Sequence, residues 1–401
     1  MDFRLTAAEL AFESEVNDFI AQNLPAELAD AQRMTSGVYP EPHVSRAWQA
    51  ILDRRGWGAP SWPVAFGGPG WSPIQRYLFE RSCASAYAPF QHTVSLRLIA
   101  PVLMEYGSPS QQEQYLPRIR SGEDYWCQGF SEPSAGSDLR AVKSHLRLDG
   151  DRYILNGTKI WTTHGHLANL MFALVRSEHD QQDGKKFSFV ILDMQARGVT
   201  VQPIATIGVD HELNQVFFDD VVIPAENIIG VSGEGWAQAL FLLKNERAGS
   251  FYSTRLRAWF KQLSLMARSF EERISSEEAS YARTRLSMIE LDLDALESLE
   301  IQSVLPLAPG EVMSQFASSL IKLRTAKARQ AISSLAVDLI GDSARKWETQ
   351  RPLPETGDGP ARDMMRLAVP RYLNDRSQSI FAGTAEIQHD IMARTVFQEQ
   401  H

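Results

Sequence analysis

The feature that most constrains this chain is a run of small, hydroxylated and acidic residues that extends from Trp126 to Leu139. The run reads WCQGFSEPSAGSDL, and its Pro and Gly residues interrupt any regular helix or strand. A second short run, IWTT, occupies residues 160–163. Such a loop offers backbone N–H groups and short polar side chains to a flat, polar-edged ring. The two runs therefore predict a site for a planar ligand with polar edges.

The segment that follows the first run consists of short strand candidates separated by turn residues. Asp149-Gly150 and Asn156-Gly157 are hairpin-turn signals, and they separate the first candidates from one another. Regular short strands of this kind indicate a small β-barrel or sandwich. The candidates occupy residues 145–148, 153–155, 170–175, 187–192, 199–203 and 216–223.

Helical signals dominate the chain on both sides of this segment. Thr6 and Glu9 have the spacing of a capping box, which predicts a helix start. Ser108 is followed by Pro109 and Gln111, a pattern typical of another helix start. After Gly235, apolar residues again recur at helical spacing. They are Leu286, Ile289, Leu293, Leu296 and Leu299, followed by Val312, Phe316, Leu320 and Leu323.

Chain length and composition favour a soluble protein with more than one structural unit. At 401 residues the chain is too long for one small core, and 44% of its residues are hydrophobic. We predict an α+β fold of three units. They are a helical domain over residues 1–124, a β domain over 125–232 and a helical bundle over 233–401.

Charge and cysteine content exclude several classes of function. A formal charge of −9 argues against nucleic acid as a partner, because phosphate binding needs a basic face. Cys83 and Cys127 are too few for a disulfide framework or a metal site with ordinary spacing. The sequence shows neither a signal peptide nor an apolar run near the roughly 18 residues of a membrane span. We therefore expect a cytoplasmic protein without a structural metal.

The two runs resemble the flavin-binding loops of the acyl-CoA dehydrogenase family. In that family the first run has the form S/T-E-P-x-A-G-S-D, which Ser131 to Asp138 match, and a Trp-x-Thr follows at the distance seen here. The order of helices, a small β domain and a helical bundle is also the family's order. The resemblance implies an N-terminal helical domain, a middle β-barrel or sandwich and a C-terminal four-helix bundle. It also implies bound FAD.

The resemblance further implies which residues contact the ligands. Gln128, Phe130 and Ser131 would line one side of the flavin ring, and Trp161 and Thr163 would lie against its other face and edge. For each residue taken alone, the alternative is a structural role in the β domain: Ser131 and Ser137 would cap turns, and Trp161 would belong to the core. Three more groups are implied: Thr384 and Glu386 near the flavin, Ser137 at the acyl-CoA, and backbone N–H groups at Ala382 and Gly383 near the thioester carbonyl.

The family's reaction requires a carboxylate that removes the proton α to the thioester. Many members place this Glu just before a Gly-Thr pair near the C-terminus, but here Ala382 holds that position. Other members supply the Glu from an earlier helix, and Glu246 of this chain matches that position. Leu242, Gly249, Ser250 and Ser253 would share its helical face and leave room for a ligand. The alternatives are a solvent-exposed Glu246 paired with Lys244 or Arg247, and Glu386 as the base.

The chain departs from the family where the adenosine end of FAD would meet a neighbouring subunit. The family's Arg-x-x-Phe-Gly run corresponds to residues 281–287, which contain no Phe-Gly. Its Gln-x-x-Gly-Gly run corresponds to residues 338–342, where Asp338 and Asp342 replace Gln and the second Gly. Two carboxylates beside a pyrophosphate repel it. This pattern is similar to bacterial members that act on steroid side-chain CoA thioesters as α2β2 heterotetramers of two related chains.

These expectations define a hypothesis and its rivals. The hypothesis is an FAD-dependent dehydrogenase that converts a bulky or branched acyl-CoA to the trans-2-enoyl-CoA. Its partners would be a homologous chain of the same family and an electron-transfer flavoprotein as acceptor. One rival is a non-catalytic partner subunit of such an enzyme, which the altered half-site favours. Another rival is a flavin oxidase or monooxygenase of the same fold.

Overall fold

A computed structural model describes residues 5–177, 186–208, 211–245, 251–270, 275–306, 313–346 and 359–398 of the chain. The described residues form a helical domain, a curled β-sheet and a second helical domain, in that order. The predicted α+β class is therefore confirmed. Within the described residues, we find no helix with the length and apolar character that a membrane span requires.

The N-terminal domain contains helices whose starts follow the predicted capping patterns. Thr6 and Glu9 bond each other's backbone N–H at the start of α1, and Ser108 and Gln111 do the same at the start of α6. A π-helical turn, Val94–Ile99, runs directly into α5. The helices are α1 (Ala7–Asn23), α2 (Ala26–Arg33), α3 (Pro42–Arg54), α4 (Pro73–Ser85), α5 (Ala100–Tyr106) and α6 (Pro109–Ser121).

The middle domain is one curled sheet, which contains every predicted strand, but the predicted turn at Asn156-Gly157 is wrong because these residues lie inside one long strand with a bulge. Its described part has seven strands in the order β1-β4-β2-β3-β7-β6, and β5 pairs with β4. The first strand was not predicted, because it lies within the loop-forming run and has few residues. The strands are β1 (Trp126–Gly129), β2 (His145–Asp149), β3 (Arg152–Thr163), β4 (Leu170–Ser177), β5 (Phe187–Asp193), β6 (Val199–Ile204) and β7 (Leu213–Pro224).

The C-terminal domain contains the predicted four-helix bundle. Helices α8, α9, α10 and α11 pack against one another, and α12 packs against α10. The predicted apolar stripes lie on α9 and α10, where Ile289, Leu293 and Leu296 are buried, whereas Val312 lies outside the described residues. The helices are α7 (Gly235–Asn245), α8 (Tyr252–Phe270), α9 (Ser276–Val304), α10 (Gln315–Ile340), α11 (Pro360–Asp375) and α12 (Ala385–Gln398).

Shared hydrophobic cores join the three domains. One core combines α1, α3 and α4 with the bundle helices α8 to α11. A second core combines α5, α6 and the π-helical turn with α7 and one face of the sheet. The first run of the sequence leaves the sheet next to this second core, where Phe130 and Ala135 are buried. The candidate site therefore lies at the junction of the helices and the sheet.

Candidate active site

The structure brings the two runs of the sequence together at one end of the sheet. The backbone N–H of Ile160 donates to the carbonyl oxygen of Ser131, 2.9 Å away. After Ser131 the chain makes a tight turn in which Glu132 and Ala135 exchange backbone hydrogen bonds of 2.8 and 3.0 Å. The loop from residue 130 to 138 and the end of β3 thus form one continuous surface. We call the two segments together the ring loops.

A buried ion pair holds the ring loops in place. Lys159 is fully buried, and its Nζ donates to Glu132 Oε1 at 2.8 Å, to Leu174 O at 2.7 Å and to Phe130 O at 3.1 Å. The backbone N–H groups of Lys143 and Ser144 also donate to the Glu132 carboxylate. The pair thereby connects the first loop to the residues just before β2, to β3 and to β4. The sequence analysis missed this role, although Glu132 lies within the S-E-P motif.

Both members of this pair are charged at neutral pH. Burial lowers the pKa of Lys159 to about 8, and the adjacent carboxylate opposes that shift. Burial acts to raise the pKa of Glu132, but Lys159 and the hydrogen bonds to its carboxylate hold that pKa below its ordinary value. A buried charge without its partner is expensive, so each residue depends on the other.

Trp161 presents its ring to solvent from a strained position on β3. Its backbone φ is +63°, a left-handed conformation that bulky residues rarely adopt. The pairing with β7 shifts register between Lys159 and Thr162, which marks a β-bulge at this point. The side chain is 56% exposed. A large aromatic ring that is held outward by a bulge, beside a polar loop, provides a surface for a flat ligand.

The other predicted ring-contacting residues occupy different environments. Gln128 on β1 and Ser131 after it are partly buried, Thr163 at the end of β3 is also partly buried, and Ser137 is exposed. Phe130 is 5% exposed, and its ring packs edge-on against Phe172 and Phe189 in the core. The side chain of Phe130 is therefore part of the core, and a contact between this residue and a flavin ring would be made by its backbone.

Aromatic and histidine side chains form a polar wall just after Thr163, which the sequence analysis did not identify. The ring of His164 hydrogen-bonds to the hydroxyl of Tyr125, with 2.7 Å between Nδ1 and Oη. Tyr125 stacks on His92, and Tyr39 packs against both histidines. Burial, aided by His166 and His211, lowers the pKa of His164 to about 4. His164 is therefore neutral at physiological pH, and it places an uncharged, hydrogen-bonding ring next to the ring loops.

The predicted C-terminal loop lies directly before α12. Ala382 and Gly383 have φ values of +52° and +87°, and both residues are exposed. The Thr384 hydroxyl accepts a hydrogen bond from the Ile387 N–H at 3.2 Å, which caps the helix. Glu386 lies exposed in the first turn, as predicted. A backbone N–H and the Thr384 hydroxyl lower its pKa, so it is an ionised partner of the helix dipole and a poor base.

Glu212 connects the end of the sheet with the helix that leads to this loop. Its Oε2 accepts from Asn374 Nδ2 on α11 at 3.2 Å, and its Oε1 accepts from the Val38 N–H at 2.6 Å. Its carbonyl oxygen accepts from the His164 N–H at 2.8 Å. The C-terminal loop is thus tied to the same end of the sheet as the ring loops.

Comparison with known proteins agrees with this architecture along the whole chain. Models of the acyl-CoA dehydrogenase N-terminal, middle and C-terminal domains match residues 6–123, 127–221 and 233–397. The chain belongs to the acyl-CoA dehydrogenase family. Acyl-CoA dehydrogenase IpdE1 from Mycobacterium tuberculosis is 32% identical over 390 residues, which cover 96% of each chain. IpdE1 from Mycolicibacterium smegmatis is 30% identical over 399 residues, again with 96% of each chain covered.

Solved structures of this family share the fold. The ChsE4-ChsE5 complex from Mycobacterium tuberculosis matches with a TM-score of 0.79 and 23% identity over 99% of both chains. A structure described as the Tcur3481-Tcur3483 steroid ACAD matches with a TM-score of 0.81 and 23% identity, also over 99% of both chains. At this identity the likeness establishes the fold of this acyl-CoA dehydrogenase family member.

The predicted base of this family member, Glu246, lies outside the described residues, as do Gly249 and Ser250. Helix α7 ends at Asn245, and α8 begins at Tyr252. We had expected Ser253 and Leu242 to share one helical face. Phe251 is not helical, so the two residues lie on separate helices. Leu242 is buried against the second core.

The two runs that depart from the family pattern meet in this structure. Tyr281 on α9 donates a hydrogen bond from its hydroxyl to Asp338 Oδ2 on α10, at 3.3 Å. Arg285 Nη1 in turn donates to the Tyr281 hydroxyl at 3.2 Å. Tyr281 and Asp338 are both exposed, as is Asp342 just after α10. The replaced residues therefore form one exposed polar surface at this end of the bundle.

Proposed function

We propose that this chain is the FAD-dependent catalytic subunit of an acyl-CoA dehydrogenase that forms a trans-2-enoyl-CoA from a bulky or branched acyl-CoA. The observation that supports the proposal is the hydrogen bond from Ile160 to Ser131, which brings the two ring loops together and leaves Trp161 exposed beside them. The steroid activity named for one structural neighbour favours a steroid side-chain thioester as the substrate.

The residues of the ring loops fit a flavin. Trp161 offers an exposed aromatic face, and Gln128 on β1, Ser131 after it and Thr163 at the end of β3 offer polar side chains that are only partly buried. The buried Thr162 hydroxyl has no hydrogen-bond partner among the described residues, which is consistent with a polar ligand nearby. When bound, FAD supplies the hydride acceptor, N5 of its ring. Thr384 and Glu386 would contact the flavin from the C-terminal loop.

The chain's own residues supply binding and proton transfer. Glu246 accepts the proton from the carbon α to the thioester, and Ser137 contacts the acyl-CoA. The exposed backbone at Ala382 and Gly383 turns through left-handed conformations, and it provides the N–H that stabilises the thioester carbonyl oxygen as negative charge develops. The electron acceptor in this proposal is an electron-transfer flavoprotein, and the enzyme acts in the cytoplasm.

Flavin content is the direct test of the proposal. We expect the purified protein, coexpressed with its partner chain, to be yellow and to release FAD rather than FMN on denaturation. An acyl-CoA substrate should bleach the flavin absorption under anaerobic conditions. A colourless complex that does not take up added FAD would refute the proposal, and rapid reoxidation by oxygen would favour an oxidase.

We also propose an α2β2 assembly with a second chain of the same family. Asp338 and Asp342 place carboxylates where the family holds a neighbour's FAD, and the exposed contact between Tyr281 and Asp338 occupies the same surface. A partner chain that keeps the usual residues would hold the adenosine end of the FAD bound to these ring loops. The structural neighbour described as the ChsE4-ChsE5 complex, one chain of which matches this fold, supports this arrangement.

Native mass spectrometry tests the assembly. We expect a complex of two copies of this chain and two copies of its partner, with fewer FAD molecules than chains. The chain alone should retain little FAD. A homotetramer of this chain with one FAD per chain and full activity would contradict the α2β2 proposal. A complex that stays active when Glu246 is replaced would instead favour the non-catalytic subunit.

A further inference from the structure

The second ring loop ends between two residues whose backbone is strained. Trp161 has a φ of +63° and His164 has a φ of +53°, and both values fall in the left-handed region that bulky residues rarely adopt. Residues in this conformation persist only where the surrounding contacts hold them in it. The contacts of the two residues between them, Thr162 and Thr163, therefore help to determine whether Trp161 stays beside the polar loop.

A buried amide on β7 holds the backbone between these two strained residues. Asn214 is fully buried and lies opposite Thr162 in the pairing of β3 with β7. Its Nδ2 donates a hydrogen bond to the carbonyl oxygen of Thr162 at 3.1 Å. A carbonyl oxygen only accepts hydrogen bonds, so this contact fixes which end of the amide is the donor. The Oδ1 atom of Asn214 is consequently an acceptor for its other neighbours.

Two histidine rings complete the hydrogen bonds of the Asn214 amide. Its Nδ2 lies 3.0 Å from His166 Nδ1, and its Oδ1 lies 2.8 Å from His211 Nε2. Because the amide nitrogen donates, His166 Nδ1 accepts and carries no proton; because the amide oxygen accepts, His211 Nε2 carries one. The two rings stack on each other, with their centres 3.7 Å apart and their planes inclined by 14°. We call His166, Asn214 and His211 the histidine clamp.

The histidine clamp requires an uncharged His166. A second proton on this ring converts Nδ1 from an acceptor to a donor, which then faces the Nδ2 donor of Asn214. Protonation of His211 leaves its Nε2 a donor, so that ring keeps its bond to Asn214 but places a charge against the stacked ring. Burial, followed by the charge of His211, lowers the pKa of His166, so the neutral ring is the stable form at neutral pH.

The other described titratable groups beside the histidine clamp do not compete for this role. His164 lies edge-on to His166, with 6.3 Å between the ring centres, and burial lowers its pKa to about 4. It therefore stays neutral down to about pH 5. The carboxylate of Glu212, next to the clamp in sequence, accepts hydrogen bonds from Asn374 on α11 and from a backbone N–H of the N-terminal domain. A change of charge within the clamp near pH 6 thus affects Asn214 first.

We propose that the histidine clamp positions Trp161 and Thr163 for the flavin ring, and that protonation of His166 opens the clamp and weakens FAD binding. The inference rests on the proposed dehydrogenase function and assigns positioning residues to its cofactor site. The clamp acts through the carbonyl oxygen of Thr162 and the backbone on either side of it, without touching the flavin. Because the open form binds the proton more tightly than the closed form, FAD affinity falls as the pH falls.

The FAD affinity of the intact complex at two pH values tests the histidine clamp. We expect the Kd for FAD to rise by about 10-fold between pH 7.5 and 5.5. In the open form the His166 ring binds a proton with the ordinary histidine pKa of about 6.5, whereas in the closed form it does not. Equilibrium dialysis against FAD measures the Kd without turnover. A Kd that is the same at both pH values would overturn the proposal.

Matched histidine variants identify the group that responds to pH. His166→Asn keeps an acceptor at the Nδ1 position and gains no proton, so its Kd for FAD should stay within about threefold of wild type at pH 7.5 and change less than about twofold by pH 5.5. His43→Asn, which alters an exposed histidine on α3, should retain the full pH dependence. Wild-type pH dependence in His166→Asn would overturn the proposal.

A variant of the amide tests the link to the second ring loop. Asn214→Ala removes the donor to the Thr162 carbonyl oxygen, so the Kd for FAD should rise by about 10-fold at pH 7.5 and depend little on pH. An unchanged Kd in this variant would show that the clamp does not act on the cofactor site. If Asn214→Ala does not fold, His166→Asn and the wild-type pH dependence still decide the question.

Amide hydrogen exchange of the complex separates failure of this inference from failure of the dehydrogenase proposal, because it does not require bound FAD. The reporter is the Ile160 N–H, which joins the two ring loops. After correction for intrinsic exchange rates, its protection should fall between pH 7.5 and 5.5 in wild type and not in His166→Asn. If FAD does not bind at either pH but protection depends on His166, the cofactor assignment is wrong and the clamp stands. If FAD binds and neither quantity depends on His166, the clamp is overturned and the dehydrogenase proposal stands.

Discussion

Replacement of Glu246 with Gln is expected to lower the rate of acyl-CoA-dependent flavin reduction by about 10²–10⁴-fold, the usual effect of losing a general base. Gln keeps the shape of the side chain but does not accept the α-proton. Ala382 occupies the other position at which the family carries this Glu, and it has no basic group. The measurement is the anaerobic, single-turnover loss of flavin absorption in the reconstituted complex, with FAD content determined in the same sample.

The matched control is Glu386→Gln. Glu386 is exposed in the first turn of α12, and the lowered pKa of its carboxyl makes it a weak base. At saturating FAD this variant should reduce its flavin far faster than Glu246→Gln. If Glu246→Gln bleaches at the wild-type rate and Glu386→Gln does not, the base has been assigned to the wrong residue. Loss of FAD from Glu246→Gln would indicate a structural role instead.

Local sequence patterns predicted much of the fold because they depend on neighbouring residues alone. The capping pair Thr6 and Glu9 and the cap at Ser108 specify helix starts without reference to the rest of the chain. The hairpin turn at Gly150, with φ of +67°, joins β2 and β3 as predicted. In contrast, β1 depends on parallel pairing with β4, a partner far along the chain, and no local pattern signals it.

The site was predictable as motifs but not as geometry. The resemblance identified both ring loops, yet the direction of the Phe130 side chain depends on packing against Phe172 and Phe189 from other strands. The buried partners Lys159 and Glu132 are separated by the whole of β2, so spacing alone does not pair them.

Replacement of Lys159 with Met is expected to reduce the free energy of unfolding by about 3–5 kcal/mol, the usual cost of breaking a buried ion pair by removing one partner. The change leaves the Glu132 carboxylate buried without its cation. It also removes the hydrogen bonds to the carbonyl oxygens of Phe130 and Leu174. Because these groups fix the first ring loop, FAD content should fall together with stability. Urea unfolding of the purified complex, with released FAD measured in parallel, is the assay.

The control for this change is the exposed neighbour Lys143. Only its backbone N–H contacts Glu132, so Lys143→Met should change the unfolding free energy by no more than about 0.5 kcal/mol. The double variant Lys159→Met with Glu132→Gln should lose much less unfolding free energy than the sum of the two single variants. Glu132→Gln removes the carboxylate charge that Lys159→Met leaves unpaired. Strict additivity, or wild-type stability in Lys159→Met, would show that the ion pair does not hold the ring loops. In that case the S-E-P glutamate would need a direct role toward the ligand.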